Sequence, residues 1–163
     1  MEPISEKFVE KTWQEVAGYS TNRASKEMQK MGKNQPDLLA FLMALIEDMD
    51  PEVRELAIYI AFVVYRIFEG SRNKIKKITS KEIIDCYENN EALMGRLEGA
   101  HEKFIDRTAR IQISKQPYVM KYVVEALMEG SEEGDDVVLT DEDSGFLFLL
   151  LKTVVDLLDK KTY

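Results

Sequence analysis

Glu98, His101 and Glu102 lie three and four residues apart in a segment of helical character, so their side chains share one face. A Glu-x-x-His step on a helix is one way a helical bundle holds a pair of iron ions, with the carboxylate and the imidazole both turned inward. Asp106 continues the same face one turn further on. The number of ligands weighs against that chemistry, because such a centre takes two histidines and this chain has one. A metal-binding, di-iron-like bundle centred on Glu98, His101 and Glu102 is therefore the alternative reading, and it requires extra carboxylates or a second copy of the chain. The ordinary reading is a solvated helix face, and no cofactor is expected.

A second set of residues is defined by charge. Glu129, Glu132, Glu133, Asp135, Asp136, Asp141, Glu142 and Asp143 fall within fifteen residues that contain no Lys or Arg. The rest of the chain balances 22 acids against 22 bases, so the formal net charge of -8 describes that one segment. Acids at a loop and at a helix start are common without any partner, but this density is also where a cationic partner is expected to be received. The opposite sign appears in Arg72, Lys74, Lys76, Lys77 and Lys81, with no acid between Gly70 and Lys81. Five bases without interleaved aromatics on an acidic protein make a poor nucleic-acid footprint, so nucleic acid is not the expected partner. The acidic and basic segments could instead face each other, within one chain or between two.

Nucleophilic chemistry finds little support. Cys86 and His101 are about four helical turns apart on one segment and cannot meet within it. A lone cysteine excludes an internal disulfide and a Cys-rich zinc site, and Cys86 reads as a small buried apolar side chain. No Gly-rich phosphate loop and no serine elbow is present. Asp141, Asp143 and Gly145 are spaced a little like a calcium loop, but the glycine comes one place early and Lys152 stands where the closing glutamate belongs.

The elements that position these residues read as helices almost throughout. Alternation of period two is missing, and turn residues separate long segments of period near 3.6. A first segment runs from Pro3 to about Met31, with a bend or break at Gly18 to Asn22. Pro36 opens a helix to residue 48. Asp50-Pro51-Glu52 supplies an N-cap side chain, a proline for the first helical position and an acid for the first turn. The helix it starts runs to Glu69, closed by Gly70. Thr79 and Glu82 form a capping box for a long helix toward Ile113. On that helix Ala92, Gly95 and Gly99 make a bare strip suited to close packing. Gln116-Pro117 opens the next helix, closed by Gly130. Thr140 and Asp143 then cap a last helix whose apolar part is Phe146 to Leu158.

Two helices, about 51–69 and 143–159, are apolar around most of their circumference and should be central. Either the amphipathic helices wrap both, or the last one is sealed by a second subunit, and monomer and homodimer are expected in equal measure. Trp13, Tyr59 and Tyr65 read as core, each needing a partner for its polar tip. The longest apolar run, Leu56 to Tyr65, is ten residues, short of the roughly 20 that span a bilayer. No membrane is expected.

Leu38, Leu39, Leu42, Leu45 and Ile46, followed by Asp48, Asp50, Pro51, Glu52, Val53, Arg54 and Ala57, resemble a single HEAT repeat. The resemblance implies a helix pair in which Asp48 or Asp50 with Arg54 helps hold neighbouring repeats in register and Ala57 permits close helix approach. It covers roughly a fifth of the chain, and no second copy of the motif is found where such arrays need three or more. Pro117 to Gly130 echoes the second helix only in its proline and apolar positions, with Met120 in place of the arginine.

The expectation is thus one all-α domain over residues 1–163, an irregular bundle of six or seven helices. The N-terminus carries an acid where an export signal has bases and no apolar stretch behind it, so the location expected is cytoplasmic. The function expected is non-catalytic protein–protein interaction, with the acidic segment 129–143 as the surface for a basic partner. A di-iron-like bundle and a degenerate HEAT-like scaffold are the alternatives.

Overall fold

The computed structural model describes residues 2–72, 74–98, 115–132 and 139–162, with the side chains of 96–98 and 130–132 outside that description. Within it the chain is all-α. Seven helices follow in order: α1 Glu6–Ala17, α2 Thr21–Asn34, α3 Pro36–Leu45, α4 Pro51–Ser71, α5 Ser80–Glu98, α6 Pro117–Glu132 and α7 Asp141–Lys161.

Local chemistry explains most of the boundaries. The Ser5 hydroxyl accepts from the Phe8 N–H at the start of α1, and Ser20 does the same for Arg23 at the start of α2. Gly18 ends α1, so the long first segment is two helices, broken where the small and polar residues cluster. Thr79 and Glu82 form the expected reciprocal box, the Thr79 N–H donating to Glu82 Oε1 at 3.2 Å and the Glu82 N–H to Thr79 Oγ1 at 3.3 Å. Asp50 departs from expectation: it occupies the N-cap of α4, but its side chain makes no cap hydrogen bond, and Pro51 alone sets the start. Gly70 does not close α4. It lies inside the helix, where a Cβ would stand 3.1 Å from Phe8 Cζ, so its role is to let α1 approach.

Helices α4 and α7 pack on each other at the centre. Helix α1 packs on α4 and α6, α5 packs on α7 and α3, and α6 packs on both central helices. Leu147, Leu150, Leu151, Val154 and Val155 are fully buried by this one chain. The last helix is thus covered by the chain's own helices, while α4 keeps Tyr59 exposed. Burial at this scale is the main favourable term in the fold, each fully buried Leu or Val contributing about 1.5–3 kcal/mol.

The ends of the chain are stitched to the middle by two buried glutamines. Gln35 Oε1 accepts from the Ile78 N–H at 2.9 Å, and its Nε2 donates to the Lys76 carbonyl at 3.0 Å. Gln116 Oε1 accepts from the Ile4 N–H at 2.9 Å, and its Nε2 donates to Asp159 Oδ1 at 2.7 Å. Each glutamine precedes a proline that opens a helix, and each receives the N–H of an isoleucine two residues ahead of another helix. The two halves of the chain therefore correspond: α1 to α5, α3 to α6 and the 21-residue α4 to the 21-residue α7. Packing follows the same rule, since α1 lies on α4 and α6 as α5 lies on α7 and α3.

The correspondence fails at one seam. Helix α6 packs along α7, but α3 does not pack closely along α4; it is held by α2 and α5, with Phe41 edge-on to Tyr87 at 5.5 Å. The tight helix pair implied by the HEAT resemblance is therefore not formed. Leu38, Leu42 and Ile46 face the core, as do Val53 and Ala57, while the facing sides of α3 and α4 stay apart. Among the described residues no helix is long and apolar enough to cross a membrane.

Candidate functional site: an apolar groove with an acidic lip

The open seam is a groove of about 860 Å³ between α3 and α4, closed at the back by Met28 of α2. Leu39, Met43 and Ile46 form one wall and Ile58 and Tyr59 the other. Gly32 of α2 lets α3 approach closely, because a Cβ there would stand 3.0 Å from Leu39 Cδ2. Met43 is 54% exposed and Tyr59 42% exposed, large apolar side chains that a closed core would cover. Trp13, 37% exposed on α1, is likewise not core, whereas Tyr65 is, with its hydroxyl near Asn34 Nδ2 at 3.4 Å.

Charge borders the groove at the α3–α4 turn. Glu47 and Glu55 line it, and Asp48, Asp50 and Glu52 stand exposed on the same stretch of chain. Arg54 is the one base of that stretch and lies in the groove, its Nε buried without a hydrogen-bond partner. Burial holds the Tyr122 phenol well above its ordinary range, with further contributions from Tyr59 and then Glu129.

Of the acids in the segment 129–143, Glu129, Asp141 and Glu142 are exposed, and Asp143 is half-buried with its N–H bonded to Thr140 Oγ1 at 3.0 Å. Asp141, Glu142 and Asp143 occupy the first turn of α7, where the helix dipole favours them without any partner. The Glu132 side chain and Glu133, Asp135 and Asp136 lie outside the described residues, as do the Glu98 side chain, His101 and Glu102. Among the described residues no group of three or more His, Cys, Asp or Glu side chains could hold a metal ion. Of the basic segment, Arg72 lies 4.0 Å from Asp159 and donates to the Glu2 carbonyl at 3.2 Å, the backbone N–H of Lys76 bonds the Lys161 carbonyl at 2.9 Å, and Lys74, Lys76, Lys77 and Lys81 are exposed.

A second cleft, of about 740 Å³, opens between α5 and α7. Its floor is a polar network that periodicity alone does not reveal. Asn90, 5% exposed, donates to Thr153 Oγ1 and Asp156 Oδ2, each at 3.1 Å, and accepts from Lys152 Nζ at 2.9 Å. Lys152 is also paired with Asp156 at 2.7 Å. Cys86 borders this network, its thiol donating weakly to the Thr153 carbonyl at 3.9 Å. Burial, then the Asp156 carboxylate, push that thiol up to about 11, so it is protonated and unreactive near neutral pH. The network of Asn90, Thr153, Lys152 and Asp156 is a satisfied joint between two helices.

Of the bare strip expected on α5, Gly99 lies outside the described residues. Ala92 and Gly95 are exposed, and a Cβ at Gly95 would meet no atom within 4 Å among the described residues. Gln35, Asn90 and Gln116 are the polar residues that reading along the chain misses. The only available signal is the Gln-Pro dipeptide ahead of two helices. Compared with protein-family models, with curated proteins and with solved structures, the chain matches none.

Proposed function

We propose that the protein is a non-catalytic interaction module that seats a cationic amphipathic helix of another protein in the groove between α3 and α4. The observation that carries this reading is the pairing of exposed Met43 and Tyr59 in one groove with five exposed carboxylates along its turn. An apolar floor of adaptable methionine and aromatic side chains suits the apolar stripe of a helix, with anchors three and four residues apart. The acids attract the bases of such a segment and raise its rate of encounter, an effect that salt screens. In this reading the acidic segment 129–143 is the surface that the basic partner first approaches.

The test uses fluorescence anisotropy with a synthetic 18-residue helix built of leucine and lysine. Binding to the whole protein should weaken about tenfold in Met43→Asp or Tyr59→Ser, as expected for central anchors. It should weaken further as salt is raised. Equal binding to the wild type and both variants would overturn the groove as the seat. A dimer in light scattering that Met43→Asp dissociates would overturn it too, by making a second copy of the chain the occupant.

A further inference from the structure

The groove contains one polar group that its apolar walls and acidic lip do not account for. Arg54 projects from the second turn of α4 into the groove, and its Nε is buried with no hydrogen-bond partner. Acids surround it in sequence, yet the ion pairs among the described residues include none between Arg54 and Glu47, Asp50 or Glu55. A buried N–H without an acceptor is a standing cost, and α3 does not pack closely on α4 to supply one. Nε and its neighbouring Nη are two parallel donors, a fork that matches the two oxygens of a carboxylate once the side chain turns to meet one.

We infer that Arg54 is a specificity residue of the groove that receives a carboxylate carried by the docked segment. This deepens the groove reading and rests on it. The segment is then cationic along its flanks and carries one acidic group on, or at the end of, its apolar stripe. That group is either an Asp or Glu side chain or a free C-terminal carboxylate, which offer Arg54 the same chemistry. Flanking bases answer the exposed acids at the lip, while the single carboxylate answers the one cation inside.

Three synthetic leucine and lysine helices separate the sources: one with a central Glu and an amidated end, one with a free C-terminal carboxylate and no Glu, and one with neither. Against the whole protein, at least one carboxylate-bearing peptide should bind about tenfold more tightly than the neutral one. Arg54→Met should abolish that preference, so that the three peptides bind it with the same affinity. Arg54→Lys should keep only part of it, since the charge remains and the fork is lost. Arg54→Met should also unfold at a urea concentration no lower than the wild type. A lowered midpoint, equal binding of all three peptides by the wild type, or a preference that survives Arg54→Met would overturn the role of Arg54 and leave the groove standing. If none of the peptides binds the wild type, the groove reading fails and this inference fails with it.

Discussion

Gln35 and Ile78, 43 residues apart, are joined by a buried 2.9 Å hydrogen bond from the Ile78 N–H to the glutamine side chain. The same side chain holds the Lys76 carbonyl, so one amide satisfies both a donor and an acceptor of the strand of chain leading into α5. Gln35→Leu removes both partners at once and leaves the buried Ile78 N–H without an acceptor. It should cost about 2 kcal/mol, read as a lower urea midpoint at unchanged slope. Gln116→Leu should behave similarly, and the double variant should be close to additive, because the two clamps share no partner.

Gly95→Ala should raise stability. Gly95 lies in the interior of α5, is exposed, and has open space where the Cβ would go. Alanine there gains up to about 1 kcal/mol of helix propensity with no clash to offset it. A higher thermal midpoint is the expected result, and a lower one would mean that the bare strip does carry a packed neighbour.

Glu82 makes stability depend on pH with a defined sign. Its carboxyl is held below the ordinary carboxylate range, first by the hydrogen bond from Lys161 and then by the Thr79 N–H and hydroxyl. A group whose pKa is lowered by folding stabilises fully above its unfolded value and loses that contribution as pH falls through the folded value. Glu82→Gln should therefore be less stable than the wild type at neutral pH. The gap should narrow through the acid range and close once the carboxyl is protonated in both states. Urea titrations at a series of pH values read this directly, and a gap that widens toward acid contradicts it.

Cys86 should alkylate slowly. With its thiol raised to about 11, the thiolate fraction at pH 8 is roughly two orders of magnitude below that of an unperturbed cysteine. Iodoacetamide labelling followed by mass spectrometry in native buffer and in urea should show at least that difference in rate. Comparable rates in the two buffers would mean that the cleft leaves the thiol free.

The helices were legible because their signals are local. Apolar periodicity and the Thr79–Glu82 box act over a few residues, and α4 and α7 announce their burial by being apolar on most faces. What stayed hidden is what depends on distant partners. The Gln35 and Gln116 side chains become clamps only when another helix start reaches them, and nothing in a glutamine's neighbours reveals that. The groove was hidden for the same reason. Tyr59 lies within the all-apolar run and reads as core, and only the failure of α3 to close on α4 leaves it and Met43 uncovered. Charge counting did find acids, but the ones bordering the groove belong to the Glu47 to Glu55 stretch and not to the denser segment at 129–143.

The groove as the seat of a partner helix is tested most directly by nuclear magnetic resonance of the protein labelled with carbon-13 at its methionine methyls. Met28 and Met43 line the groove, while Met94 and Met120 are buried elsewhere. On titration with the leucine and lysine helix, the Met28 and Met43 signals should shift together and saturate, with Met94 and Met120 unchanged. Shifts confined to Met94 or Met120, or none at peptide concentrations that saturate the anisotropy signal, would place the partner outside the groove.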